Sequence, residues 1–296
     1  MRQFGGARMK DYRHFAAPLK TGHLCPGDHD LSLARSYHAT SMAMVRDHCI
    51  CVGKVEYSET SQILNLFSRD HGLVRVIAKG AHRRTKAGAS KFDGGIDLLD
   101  GGDAVFSFDP ARELVPLTEW SLTEGRLDLR KNLRAIYLGL YSAELVSRLF
   151  EEHDPHRELF DRLSGILVEL STARLEEAFL SFELDLLKES GYLPELFGCV
   201  ECGVRMDGTG PSYFSPDRGG VICGRCESAV PDRQQLDGRL LRLLQGILRL
   251  PRGEMSVLRL PRLTRHQTDP INSMLVAHIE HRLGKRLRLP KYMLGR

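Results

Sequence analysis

Phe197–Glu227, FGCVECGVRMDGTGPSYFSPDRGGVICGRCE, decides how the C-terminal half of this chain is built. It holds two Cys-x-x-Cys pairs, Cys199/Cys202 and Cys223/Cys226, with twenty residues between them. That spacing reads as a four-thiolate zinc site. Zinc takes four ligands at tetrahedral corners, and each pair can supply two sulfurs from one tight turn. Gly198, Gly203 and Gly224 flank the cysteines, where a knuckle turn favours positive φ. Pro216–Gly220 reads as the hairpin turn that returns the second pair to the first. Two other readings stay open. Two disulfides would need an oxidising compartment, and no secretory signal is visible. A thioredoxin-like redox pair would need a Cys-x-x-Cys that follows a strand and opens a helix, which neither does. With sulfur at all four positions, Zn2+ here is expected to be structural, because no coordination position is left for water.

Outward from this segment, a 3.6-residue period dominates on both sides. Leu133, Ile136, Tyr137, Leu140, Tyr141, Leu145 and Leu149 fall at helical spacing, with Glu144 as the one acid among them. Asp154-Pro155 reads as an N-cap and N1 proline opening a second helix, with Leu159, Phe160, Leu163, Ile166, Leu167 and Leu170 on one side. Leu175–Ser190 predicts a third helix stopped at Gly191. Downstream, Gln234–Leu250 and Pro270–Leu283 read as two more helices. Before Leu127 the pattern is β. Val45–Val55, Ile63–Phe67, Leu73–Ala78, Asp103–Phe108 and Leu114–Trp120 read as strands, the last two joined by the turn Asp109–Glu113. A five-stranded barrel of the OB type fits this count, and an SH3-like barrel fits the pattern nearly as well. The expected architecture is multi-domain β plus α. Residues 1–43 are an extension without helix or strand period, or an addition upstream of a start at Met42 or Met44. Residues 44–123 form the OB-fold barrel. Residues 124–296 form an all-α helical domain with the zinc segment 197–232 inserted.

A chain of 296 residues allows about two domains. No apolar run approaches the ~20 residues that span a bilayer, and the N-terminus lacks the apolar core of a signal peptide. The net charge is only +4, but Gly238–Arg296 holds thirteen Lys or Arg against three acids, so the rest is net acidic. A basic region of this kind suggests an anionic partner, nucleic acid before membrane. Arg239, Arg242, Arg249, Arg252, Arg282, Lys285, Arg286, Arg288, Lys291 and Arg296 carry it, and suit phosphates or an acidic peptide tail. Solvated cations at helix C-termini would read the same way. A second patch, Gly72–Phe92 (GLVRVIAKGAHRRTKAGASKF), contains Arg75, Lys79, Arg83, Arg84, Lys86 and Lys91, plus His82, and no acid. A strand running into a bare, Gly/Ala-rich cationic loop can track a phosphate backbone; a plain solvated loop is the alternative. Cys25, Cys49 and Cys51 show no ligand spacing and read as free thiols. For catalysis there is little. Glu151/Glu152 and Glu176/Glu177 read as solvated helix faces, and no histidine sits near a hydrolytic or nucleotide-binding motif. No enzyme activity is expected.

The order of barrel, helices, four-cysteine segment and basic end resembles the RecO family of bacterial recombination mediators. Val52–Thr60 (VGKVEYSET) followed by Ile63–Gly72 (ILNLFSRDHG) is similar to that family's opening strands. Val76–Arg84 (VIAKGAHRR) is similar to its AKGARR loop, with His82 where Arg is usual and no proline after the arginines. Phe182–Pro194 (FELDLLKESGYLP) running into Cys199-Val200-Glu201-Cys202-Gly203 is similar to its helix-to-zinc junction. The resemblance covers about Met44 to Leu289. It implies a cytoplasmic, nucleoid-associated, non-enzymatic protein with an OB barrel, a helical domain and zinc. Such a protein binds single- and double-stranded DNA, anneals complementary strands and helps load recombinase on strands coated by single-strand-binding protein. The implied partners are DNA, RecR and the acidic tail of the single-strand-binding protein. Carried over by position, Arg75, Lys79, Arg83, Arg84 and Lys86 would contact DNA, and Lys91 joins them from the basic patch. Two other classes compete: a zinc-ribbon protein-interaction module of transcription or translation, and a nuclease or glycosylase.

Overall fold

The computed structural model describes residues 43–81, 91–92, 95–250 and 260–294. Five strands come first: β1 (Ala43–Ser58), β2 (Ser61–Ser68), β3 (Gly72–Ala78), β4 (Gly101–Phe108) and β5 (Val115–Glu124). They close into a barrel in the order β1-β2-β3-β5-β4. All neighbours are antiparallel except β3 and β5, which pair in parallel at Val76↔Val115. The expected strands are all present, but β1 is longer at both ends and β5 runs on to Glu124. Closure needs bends, and the register shifts in β1, at Cys51/Gly53 and Glu56/Ser58, supply them. In β4, Gly102 lets the Trp120 ring through: a Cβ there would sit 2.7 Å from the indole and 2.5 Å from the Ser121 carbonyl oxygen.

Side-chain alternation sends the two faces of β1 into different cores. Cys49 and Cys51 point into the barrel with Leu64, Leu66, Val74, Val76, Phe106 and Trp120. Ile50 and Val52 point out, and with Phe67 and Leu73 they pack into the helical core. Cys49 and Cys51 are indeed free and buried, and burial pushes both thiols up, Cys51 to about 12. A buried cluster therefore runs from the outside of the barrel through the helices, and Met42–Arg296 is one compact unit. The junction is tightest at Gly72. Its φ is +70°, and a Cβ there would lie 2.3 Å from the Asp154 carbonyl oxygen.

The helical part begins with α1 (Leu133–Leu149), whose first turn is capped by the Asn132 side chain accepting from the N–H groups of Arg134 and Ala135. The second helix, α2 (Arg157–Glu169), starts later than expected. His153 donates its N–H to the Leu73 carbonyl at 3.0 Å, and Glu152 bridges Leu73, so residues 152–154 are held against β3. Pro155 is thereby left outside the helix, and His156 takes the cap position without a side-chain bond to the helix N–H groups. α3 (Leu175–Glu189) ends as expected before Gly191, whose φ is +74°. Next come β6 (Ser212–Ser215) and β7 (Gly220–Cys223), an antiparallel hairpin across Pro216–Gly219.

The expected helix from Gln234 is corrected at its start. Gln234–Leu236 forms β8, which pairs with β6, and Asp237 then caps α4 (Gly238–Arg249) by accepting from Arg239 N–H. The last long helix, α5 (Arg265–Leu283), begins five residues before Pro270. A capping box between Thr264 and Gln267 starts it, and the proline is absorbed in its second turn. A short α6 (Pro290–Met293) follows.

The pair Glu176/Glu177 is also corrected: neither is solvated. Both are buried, and Glu176 is gripped by Arg134, with Nε–Oε1 at 2.9 Å, and by the Thr268 hydroxyl at 2.6 Å. Arg134 also reaches Asp269 at 2.8 Å and the Met293 carbonyl, so one guanidinium ties α1, α3, α5 and α6 together. Glu177 accepts the Leu263 N–H at 3.0 Å. Glu183, two turns further along α3, is fully buried beside the Tyr141 hydroxyl. Burial pushes its carboxyl up to about 8, only partly offset by that hydroxyl.

Candidate nucleic-acid interface and thiolate cluster

The four thiols meet. The Sγ atoms of Cys199, Cys202, Cys223 and Cys226 all lie within 4.8 Å of one another. Local backbone bonds build each half. Gly203 N–H donates to the Cys199 carbonyl at 2.8 Å, Cys199 N–H to the Val204 carbonyl at 2.8 Å, and Cys226 N–H to the Cys223 carbonyl at 3.0 Å. Of the three flanking glycines, only Gly203 needs positive φ, at +71°, which corrects the expectation for Gly198 and Gly224. The hairpin β6–β7 delivers Cys223 at its end, where its N–H donates to Cys199 Sγ at 3.4 Å.

A tetrahedral Zn2+ with bonds of about 2.3 Å would set its sulfurs about 3.8 Å apart. Cys202 Sγ and Cys223 Sγ are 3.7 Å apart. That is far beyond the ~2.05 Å of a disulfide, and all four cysteines are free. Burial opposes ionisation of Cys223, but the N–H groups of Cys226 and Arg225 and the neighbouring thiols outweigh it and bring it down to about 6. Hydrogen bonds to Cys202 and burial push Cys226 the other way. The donor set thus fits a thiophilic divalent metal at the seam between the Phe197–Gly203 turn and the hairpin.

On the barrel, the expected cationic residues are partly brought together. Lys79 lies in the turn after β3 and Lys91 returns toward it; both are exposed and line one groove with Tyr57, Thr60, Ser61 and Ile77. Arg75 projects from the middle of β3, where Glu113 takes its guanidinium at 2.6 Å. Arg83, Arg84 and Lys86, with His82, lie outside the described residues. The C-terminal cations scatter. Arg249 stacks over Phe197 at 5.1 Å, Lys291 sits over Tyr292 at 4.8 Å, and Arg242 donates to the Gly208 carbonyl. Lys285 and Arg286 do converge, with Arg148 from α1, around a cleft of about 180 Å³ floored by Leu283 and Leu287. Sequence order hid Arg148, because it stands at the end of a helix far from the basic tail. Arg252 and Arg296 lie outside the described residues.

A Ser–His–carboxylate grouping occurs in the barrel but is wired for structure. Ser68 donates to Asp47 and not to His71, whose Nδ1 is 2.8 Å from the same carboxylate. Burial would raise Asp47, yet Ser68, His71 and the N–H groups of Asp70 and His48 hold it below the usual carboxylate range.

Comparison with known proteins follows the same division as the fold. Residues 42–126 match the family model described as Recombination protein O N terminal, and residues 130–290 match Recombination protein O C terminal. The chain belongs to the RecO family. The boundary between the two RecO matches falls in the turn after β5. The DNA repair protein RecO of Anaeromyxobacter dehalogenans is 32% identical over 240 residues, covering 81% of this chain and 91% of that protein. That of Pelotomaculum thermopropionicum is 30% identical over 246 residues, covering 82% and 92%. That of Caldanaerobacter subterraneus is 26% identical over 243 residues, covering 81% and 94%. Among the described residues, no helix of this RecO-family chain is long and apolar enough to cross a membrane.

Proposed function

We propose that this chain acts in DNA repair and homologous recombination as a mediator. It binds single- and double-stranded DNA through the cationic side of an OB-type barrel, anneals complementary strands, and helps load recombinase on strands coated by single-strand-binding protein. The observation that carries the reading is the convergence of Lys79 and Lys91 on one barrel groove, at the two ends of a segment without acids, in a chain of the RecO family. Arg75, Arg83, Arg84 and Lys86 complete the proposed DNA contacts. Annealing brings two polyanions together, so its main requirement is fixed positive charge that lowers their repulsion; no bond of the substrate need be made or broken. The protein would therefore act without turnover chemistry, in the cytoplasm and on the nucleoid.

Zn2+ would be held by Cys199, Cys202, Cys223 and Cys226 as a closed structural site; bound there, it would cross-link the turn and the hairpin and stabilise the fold. The cleft of Arg148, Lys285 and Arg286 suits the acidic tail of the single-strand-binding protein, since three cations surround an apolar floor. RecR is the proposed second protein partner. The test is annealing of complementary oligonucleotides, with and without single-strand-binding protein, across a salt series. Acceleration at low salt that fades as salt rises supports the proposal. Annealing at the uncatalysed rate at every salt would leave the zinc-ribbon interaction module as the better reading, and cleavage or base release would indicate an enzyme.

A further inference from the structure

We propose that Tyr57 is a base-stacking platform, and that the groove it forms with Lys79 and Lys91 selects single strands. This rests on the DNA-binding reading above and specifies which form of DNA the barrel takes. Tyr57 is a structural oddity. In the β1–β2 ladder Glu56 pairs with Gln62 and Ser58 with Ser61, so Tyr57 is the extra residue of a bulge with no partner opposite. A bulge re-aims the side chain it carries, and here 65% of a large aromatic residue is left in solvent. Hydrophobic burial would favour a tyrosine turned onto the barrel, so its outward ring asks for a ligand.

The surroundings indicate which ligand. Val55 pairs with Ile63, Ile63 with Ile77 and Ile77 with Pro116, giving an apolar row across four strands on the outer face of the barrel. Val55 in that row is 61% exposed. Beside the row, Tyr57, Lys79 and Lys91 rim a groove of about 440 Å³. Gly80 keeps one lip of the groove bare. Of the two acids near Tyr57 in the chain, Glu56 is engaged by Lys54 at 3.5 Å and Gln62 at 3.0 Å, and Glu59 is exposed in the β1–β2 turn. An aromatic face with cations at its edge and an apolar bed matches an unpaired nucleotide: the base stacks and the phosphates meet the ammonium groups. A duplex keeps its bases stacked on one another and offers Tyr57 only its backbone, so the ring would discriminate between the two forms.

The experiment measures affinity by fluorescence anisotropy for labelled oligothymidylate, an abasic strand of equal length, and a duplex, each across salt. The proteins are wild type, Tyr57→Ala, Tyr57→Phe and Lys79→Ala/Lys91→Ala. Removing a stacking aromatic costs about tenfold or more in affinity. Tyr57→Ala should lose that much for oligothymidylate, keep its duplex affinity and salt slope, and no longer distinguish the abasic strand. Tyr57→Phe should bind like wild type. Wild-type affinity in Tyr57→Ala, or equal loss for single strand and duplex, overturns the stacking proposal. If that happens while Lys79→Ala/Lys91→Ala still flattens the salt slope, DNA binding stands and only the stacking fails. If wild type ignores all three probes at low salt, both fall.

Discussion

Glu183→Gln should make the protein more stable, and increasingly so as pH rises. Glu183 is fully buried on α3, and burial lifts its carboxyl from 4.5 to about 8. The folded state therefore holds a proton that the unfolded chain releases between those two values. Stability from this group is complete below pH 4.5, declines through neutrality, and is fully lost above about pH 8. At about 1.4 kcal/mol per pKa unit, the loss approaches about 3 kcal/mol at pH 7 and about 5 kcal/mol at pH 9. Glutamine keeps the shape but cannot ionise. Urea unfolding of both proteins at pH 5, 7 and 9 isolates the term, because every other titrating group, the thiolates included, is common to both. The difference in unfolding free energy should grow by a few kcal/mol from pH 5 to pH 9. Parallel pH profiles would refute the burial argument, and a variant that weakens as pH rises would reverse its sign.

Other consequences follow from the junctions and the thiolate cluster. Gly72→Ala places a methyl group against the Asp154 backbone at a positive φ; it should cost about 3 kcal/mol or more and lower the urea midpoint, because residues 152–154 cannot yield without breaking their bonds to β3. Arg134→Met leaves Glu176 buried without its guanidinium and should cost about 3 kcal/mol, read in the same unfolding assay. Chelation should release one zinc per chain, measured by a colorimetric indicator, and lower the melting temperature before DNA affinity at low temperature changes. The reverse order would put the cysteine turns on the DNA.

What could be read from residues alone differs from element to element. The cysteine spacing was sufficient because two short turns determine where four sulfurs can go. The barrel strands were visible in their period, but not the second use of β1, whose Ile50 and Val52 leave the barrel to enter the helical core. Gln234–Leu236 carries no pattern of its own and becomes a strand because β6 offers an open edge. Pro270 suggested a helix start, and the capping box of Thr264 and Gln267 upstream overruled it. Glu176 and Glu177 looked solvated because acids on helices usually are; their partners, Arg134 and the Leu263 N–H, are distant in sequence. Tyr57 lies beyond the expected strand Val45–Val55, and its bulge was not legible, since a bulge is a property of the pairing and not of the strand itself. Among the proposed DNA contacts, Lys79 and Lys91 share a groove, while Arg75 is shared with Glu113, a carboxylate no local pattern could have paired with it.

The most direct test of the central claim is the salt dependence of oligonucleotide binding by the wild-type protein and by Lys79→Ala/Lys91→Ala. Each phosphate contact to a single strand contributes about 0.7 to the slope of log K against log salt. The double variant should bind more weakly at low salt, with a slope shallower by about 1.4. Equal slopes for the two proteins would remove this groove from the interface and contradict the account.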